Sequence, residues 1–220
     1  RKKILIKSKK YRREKGIRMN RYNNAKNNDV VISSRIRLAR NLTNYPFSQK
    51  LSQEEATKLI DEVIGTIPFL EDRLSRNING YTLSSIKENE KNAMVERHVV
   101  SPQLIQKKQS AGLLLSDDEK ISIMVNEEDH LRIQSITNGM NINEAFITAN
   151  RVDDILSEKL SYAFHDKYGY LTSCPTNLLK SASYLRVAFE AGIKALTPFI
   201  FTISPPLTNS TIFPARIAFD

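Results

Sequence analysis

The chain has 220 residues, 40% of them apolar and 26% charged, with a formal net charge of +9. That length can bury a sizeable core, and the composition is that of a globular protein. No apolar run approaches the ~20 residues of a membrane-spanning helix, and the basic start is not followed by the apolar segment and small-residue cleavage site of a secretory signal. The single cysteine, Cys174, excludes an internal disulfide and fits a reducing cytoplasm.

Residues 1–18 hold ten Lys or Arg against one Glu, so the whole charge excess lies there and the rest of the chain carries 23 residues of each sign. A basic arm on a neutral body is either a disordered, solvated tail or a sequence-independent contact for phosphate backbones. Met19 offers a third reading, in which the natural chain starts there and residues 1–18 are upstream readthrough.

The segment 29–41, DVVISSRIRLARN, opens with a β-prone run, Val30 to Ile32. Continued as a strand, its alternation sets Arg35 and Arg37 on one face and Ile36 and Leu38 on the other. Two guanidinium forks on one face suit the oxygens of a polyphosphate, with serine hydroxyls adding hydrogen bonds; the bland alternative is a solvated basic edge. Ser52 to Glu55 is a capping-box pattern, and Ala56, Leu59, Ile60, Val63 and Ile64 follow at helical spacing. Residues 67–92 read as short helices and loops, with Asn79-Gly80 marking a turn. In MVERHVVSP, residues 94–102, Glu96, Arg97 and His98 adjoin an apolar edge before a Ser-Pro break, where a lone histidine is commonly structural.

Gly112 to Leu115 and Ile121 to Val125 read as an antiparallel hairpin around residues 116–120. The second strand runs into VNEEDHLR, residues 125–132, which packs Glu127, Glu128, Asp129, His130 and Arg132 at a strand end. Such a cluster is either a solvated turn or the rim of a site. Leu131, Ile133 and Ile136 suggest a third strand ending near Asn138-Gly139, and apolar positions from Phe146 to Ala163 predict one long amphipathic helix over 143–164. A turn and short strand at 168–172 lead to Ser173, Cys174, Pro175, Thr176 and Asn177. A single cysteine there is a small buried residue unless neighbouring positive charge stabilises its thiolate. The order of strands and helices predicts an α+β fold, an antiparallel sheet flanked by helices.

Three of these blocks, SSRIRLARN at 33–41, NEEDHLR at 126–132 and YGYLTSCPTNL at 168–178, together with ERHVVSP, resemble the signature blocks of the phosphagen (guanidino) kinase family, in that family's order. Family members that act on free metabolites carry a helical domain of about a hundred residues ahead of the first block. Only 32 residues precede Ser33 here, so the chain resembles the bacterial branch that phosphorylates arginine side chains in proteins and so marks them for the Clp protease. The resemblance implies ATP and Mg²⁺, the metal riding on the nucleotide with no protein-held metal. It implies Glu128 as the carboxylate that holds the guanidinium and draws off its proton, and Arg35, Arg37 and Arg132 as phosphate ligands. Ser33, Ser34, Ile36 and His98 would line the same nucleotide site, and Cys174 would lie near the guanidine. Its implied partners are arginine-bearing proteins, an activator protein and the Clp system, in the cytoplasm, with no membrane and no nucleic acid.

After Leu178 the family's Gly-Thr and Arg-Ala-Ser segments and its later glycine-rich loop have no match, and Arg186 and Arg216 do not stand in matching contexts. The sequence therefore suggests three parts: a basic tail at 1–18, a partial catalytic domain at 19–178, and a non-matching tail at 179–220 arising from truncation or an altered reading frame. Two further readings follow, a catalytically dead remnant of such a kinase and a nucleic-acid binder acting through the basic tail.

Overall fold

The computed structural model describes residues 33–166 and 168–174, and two further strands, Ala182–Leu185 and Phe199–Thr202. The basic stretch 1–18, the run Val30 to Ile32, and residues 179–220 apart from those two strands lie outside the described residues.

Strands β1 (Ser33–Arg40), β2 (Ile78–Thr82), β3 (Gly112–Ser116), β4 (Ile121–Val125) and β5 (Leu131–Asn138) form one sheet in the order β1-β5-β4-β3-β2. Every pairing is antiparallel. Strands β3 to β5 are thus a meander joined by short turns, β2 pairs with β3 after a connection, residues 83–111, that carries two helices, and β1, first in sequence, closes the far edge against β5. The short pair β6 (Phe164–His165) and β7 (Gly169–Tyr170) forms a separate ribbon, as do β8 (Ala182–Leu185) and β9 (Phe199–Thr202).

Alternation along the strands gives the sheet two different faces. One carries Ile36, Leu38, Leu131, Ile133, Ile121, Ile123, Val125, Leu114 and Ile78, all buried. Helices α1 (Gln53–Ile64), α2 (Ile67–Leu74) and α5 (Ile142–Ser157) cover it. Helix α1 starts as predicted: Ser52 Oγ accepts from the Glu55 N–H at 3.2 Å, and Glu55 Oε2 accepts from the Ser52 N–H at 2.8 Å. Its fully buried Leu59 and Ile60 each contribute about 1.5–3 kcal/mol of transfer free energy. The other face holds a smaller apolar cluster, Leu113, Leu115 and Met124 under Met94, Val99, Val100 and Leu104. These come from α3 (Glu88–Glu96), α4 (Pro102–Ile105) and the segment between them. This second cover reaches β2, β3 and β4, and the charged side chains of β1 and β5 lie beyond it.

Two expectations change. Asn79 and Gly80 do not turn; they lie inside β2, opposite Leu115 and Leu114 of β3. Glycine at 80 leaves room for helix side chains: a Cβ there would come within 2.7 Å of Ile67 Cδ1 and 3.4 Å of Ile64 Cγ1, and the Ile67 methyl would have to shift. The long helix ends at Ser157, well before Phe164. Apolar spacing continues to Leu160, but Ser161 to Ala163 pair with the end of β1. The Thr43 N–H donates to Ser161 O at 2.9 Å and the Ala163 N–H to Asn41 O at 2.7 Å. Tertiary pairing overrides the local periodicity there. Among the described residues, no helix is long and apolar enough to cross a membrane.

Candidate functional site

Antiparallel register places directly opposed residues on the same face, so the β1–β5 pairing decides which charged side chains meet. Arg35 faces Ile136, Arg37 faces Gln134 and Ala39 faces Arg132, all on the face away from α5. Arg35, Arg37 and Arg132 therefore share one surface. Arg37 Nε donates to Gln134 Oε1 at 2.8 Å, and Gln134 Nε2 donates to the His98 carbonyl at 2.9 Å. His98 holds a left-handed backbone (φ 60°) that an L side chain adopts at a cost, and its carbonyl is fixed to the sheet by that glutamine. Ser33 opens β1, half-buried, and sits on the arginine side by alternation.

Two of the predicted nucleotide-site residues have their side chains elsewhere. Ile36 is only 2% exposed and belongs to the core under α1, α2 and α5. Ser34 is fully buried on that same face; its Oγ donates to Gly139 O at 2.7 Å and accepts from the Asn141 N–H at 3.1 Å. It pins the loop between β5 and α5. Period-2 alternation forces this: Ser34 and Ile36 cannot share a face with Arg35 and Arg37, so only their backbone groups border the arginine surface.

The carboxylate cluster is built by the tight turn between β4 and β5. Asn126 takes a left-handed φ of 58°, its N–H donates to His130 O at 2.8 Å, and the Glu127 N–H donates to Asp129 O at 3.1 Å. Asparagine tolerates that backbone region better than most residues. Its side chain is also held, donating to Ser110 O at 2.6 Å and accepting from Lys107 Nζ at 3.0 Å. Lys107 Nζ also donates to Glu127 O at 2.6 Å; burial pulls its pKa below the ordinary lysine value, against the raising effect of Glu127.

The four ionisable residues of this turn then divide. Glu127 is 5% exposed; its carboxylate accepts from Ser101 Oγ at 2.6 Å, Arg132 Nη1 at 2.7 Å and the Glu128 N–H at 3.1 Å. Glu128 points outward with a side chain 41% exposed, and accepts from Arg132 Nη2 at 2.9 Å. Asp129 is 1% exposed and accepts through one oxygen from Asn41 Nδ2 and from the Ser173 N–H, each at 2.6 Å. His130 is fully buried. Its Nδ1 accepts from the Leu42 N–H at 2.9 Å, so Nε2 carries the proton and donates to Pro46 O at 2.8 Å. Burial lowers the His130 pKa below its ordinary 6.5, and both ring nitrogens are used structurally.

Cys174 is half-buried and is the residue after Ser173, whose N–H binds Asp129; the residue before Asp129 is Glu128. Cys174 and Glu128 thus flank one hydrogen bond. The structure brings together Arg35, Arg37, Arg132, the His98 backbone and Glu128 on one surface, with Cys174 tied to the same turn. Sequence reading missed Gln134 and Ser101 as parts of it. Gln134 follows Arg132 by two and so shares its face, but only the β1–β5 register shows that it meets Arg37. Ser101 is visible as an N-cap before Pro102, yet its bond to Glu127 spans 26 residues.

Chemically, this side of the sheet sets three cationic forks, Arg35 only 7% exposed and Arg132 mostly buried, beside an outward carboxylate. Arg132 spans both halves, donating to Glu127 and Glu128 while lying on the arginine side. A guanidinium arriving from solution would meet Glu128 already carrying one guanidinium bond. Among the described residues no group of three or more His, Cys, Asp or Glu is placed to hold a metal ion.

The sequence pattern described as ATP:guanido phosphotransferase, C-terminal catalytic domain, matches residues 51–179. A protein-arginine kinase of Clostridium novyi is 46% identical over 179 residues, which are 80% of this chain and 49% of that protein. A protein-arginine kinase of Clostridium kluyveri is 47% identical over 152 residues, 69% of this chain and 44% of that protein. The chain spans about half the length of the curated relatives it matches. The fold is also similar to that of the duplicated taurocyamine kinase from Schistosoma mansoni, solved with bound transition state analog components. That likeness has a TM-score of 0.67 at 22% identity, over 74% of this chain and 24% of that one. A lombricine kinase gives 0.60 at 21% identity, over 72% and 48%. The structural likenesses show the fold and the sequence matches show the family: the chain belongs to the ATP:guanido phosphotransferases, through their C-terminal catalytic domain.

Proposed function

We propose that this chain contributes the nucleotide-phosphate and guanidine-facing surface of an ATP-dependent kinase that phosphorylates arginine side chains in proteins. The observation that carries this reading is the shared surface of Arg35, Arg37 and Arg132 with the outward carboxylate of Glu128. Phosphoryl transfer demands little covalent chemistry from the protein; it needs positioning, and cations around the charge on the transferred group. Three guanidinium groups suit a polyphosphate, because a guanidinium carries several N–H donors, and those of Arg132 and Arg37 not given to Glu127, Glu128 and Gln134 would serve its oxygens. On the sequence resemblance, Mg²⁺ would arrive on the nucleotide and supply positive charge that offsets the negative charge of the phosphates.

A guanidinium, with its pKa above ~12, is a poor nucleophile until it is oriented and loses a proton. Glu128 supplies a carboxylate for both tasks: one oxygen accepts an N–H bond that fixes the plane of the group, and the same carboxylate can take the proton. Glu127 is too enclosed for that role; held by Ser101 and Arg132, it keeps Arg132 aimed along the surface. Cys174, tied to the turn through Ser173, would border the guanidine. The relatives named protein-arginine kinases support a protein arginine as acceptor over a free metabolite; a place in stress-linked protein turnover through the Clp system and an activator protein is what the sequence resemblance implies.

The test is incubation of the chain with ATP, Mg²⁺ and an arginine-rich protein, followed by mass spectrometry under non-acidic conditions. Phosphoarginine is the expected product. Nucleotide binding without phosphoarginine would identify a non-catalytic relative and overturn the kinase reading.

A further inference from the structure

The three sequence blocks that carry the site meet at a single buried point, and none of the roles assigned above uses it. Asn41, 2% exposed at the end of β1, donates through Nδ2 to Asp129 Oδ1 at 2.6 Å and to Leu171 O at 3.0 Å, and accepts through Oδ1 from the His130 N–H at 2.9 Å. Asp129 Oδ1 also accepts from the Ser173 N–H at 2.6 Å. The first block thus grips the carboxylate turn and the strand leading to the cysteine, and the turn grips the cysteine loop directly. The second oxygen, Asp129 Oδ2, is buried and has no hydrogen-bond partner among the described residues, where this carboxylate's bonds are the two contacts that join the blocks.

We propose that Asn41 and Asp129 are a positioning pair that fixes Cys174 relative to Glu128, and so sets the geometry of the acceptor side of the site independently of the phosphate side. The proposal deepens the kinase reading and rests on it for its consequence in catalysis. Its structural content stands apart, since Arg35, Arg37 and Arg132 make none of these bonds. A buried polar network of this kind holds one arrangement because each broken bond leaves a desolvated group without a partner. Asparagine at 129 would keep one oxygen for both donors but would set a buried amide NH2 at the Oδ2 position, where no acceptor stands among the described residues; alanine would lose both bonds.

With one cysteine in the chain, thiol alkylation reports on Cys174 alone. In the full chain, Asp129→Ala is expected to raise the rate of Cys174 alkylation by iodoacetamide about tenfold, as the loop opens locally. Asp129→Asn, which keeps the accepting oxygen, should raise it less than Asp129→Ala does, and the affinity of either variant for a fluorescent ATP analogue should remain within about twofold of the unmodified protein. Where phosphoarginine formation is measurable, Asp129→Ala should lower kcat and leave the KM for ATP unchanged. Unaltered alkylation in Asp129→Ala, or nucleotide affinity falling in step with it, would overturn the pair's selective role. Should the alanine variant not fold, amide hydrogen exchange of the unmodified chain decides. The Ser173 N–H should exchange at least about tenfold more slowly than a solvent-exposed amide, and an unprotected amide there overturns the proposal. Alkylation and exchange need no phosphoryl transfer, so the positioning pair and the kinase reading can fail separately.

Discussion

The two faces of the five-stranded sheet are made by the same strands and obey different rules. On the face under α1, α2 and α5, residues are chosen for volume: Leu38, Ile123, Ile133 and Leu131 are sealed from solvent and pack on Leu59, Ile60 and Ala149. On the opposite face, packing stops at β4, and β5 and β1 carry Arg132, Gln134, Arg37 and Arg35, held by hydrogen bonds and ion pairs. Altering the apolar face costs stability, whereas on the ionic face, where Arg35 and Gln134 are themselves buried, the outward Glu128 can lose activity with stability nearly intact.

The sharpest break of that contrast is a charge on the wrong face. Arg40 and Asp153 form an ion pair of 2.5 Å on the apolar side, with side chains 3% and 9% exposed, and the Arg40 guanidinium stacks 3.8 Å from the centroid of the Tyr170 ring. Removing one partner of a buried pair strands the other, so Arg40→Met should cost about 3–5 kcal/mol in chemical denaturation at neutral pH. Burial already pushes the Asp153 carboxyl above its ordinary 3.8, against the pull of Arg40. Without Arg40 it rises further, so the folded state binds a proton that the unfolded state does not. The variant's deficit relative to the unmodified protein should therefore shrink as pH falls toward 4.

Next in size is Ile123→Ala, at the centre of β4. Its side chain is fully buried in the larger apolar cluster, and truncation should lower stability by about 2–5 kcal/mol with no pH dependence of its own. A loss under 1 kcal/mol would mean that the sheet can collapse around the gap.

A smaller effect comes from His130, which borders both regions. Burial holds its folded pKa below 6.5, so between that value and 6.5 the unfolded chain binds more protons than the folded one. Its contribution is complete above pH 6.5 and is lost as pH falls toward the folded pKa. Denaturant midpoints measured from pH 7.5 to 5 should decline, and His130→Gln should flatten that slope while lowering the midpoint at pH 7.5 through the lost bond from the Leu42 N–H.

The contrast between faces also explains what could be read from the chain alone. Helix α1, the β3–β4 hairpin and β5 were legible because their apolar spacing follows the packed face. The signature blocks were legible because VNEEDHLR concentrates charges where β4 ends and SSRIRLARN alternates arginines with apolar residues along β1. Pairing was not: that Arg37 lies against Gln134, and Asn41 against Asp129, depends on register between segments 97 and 88 residues apart. Alternation did separate Arg35 and Arg37 from Ile36, yet it could not show that Ser34 would be spent on the Gly139–Asn141 loop. The misplaced turn at Asn79-Gly80 has the same origin, since a glycine that makes room for Ile67 looks locally like a glycine that bends the chain.

The central claim is that the charged face serves phosphoryl transfer through Glu128, whose side chain is 41% exposed and contributes little to the fold. The most direct measurement compares Glu128→Gln with the unmodified chain, in phosphoarginine formed on a protein substrate and in thermal unfolding. The account predicts a loss of activity of about a hundredfold or more with a stability change within about 0.5 kcal/mol. Undiminished phosphoarginine in Glu128→Gln would contradict it.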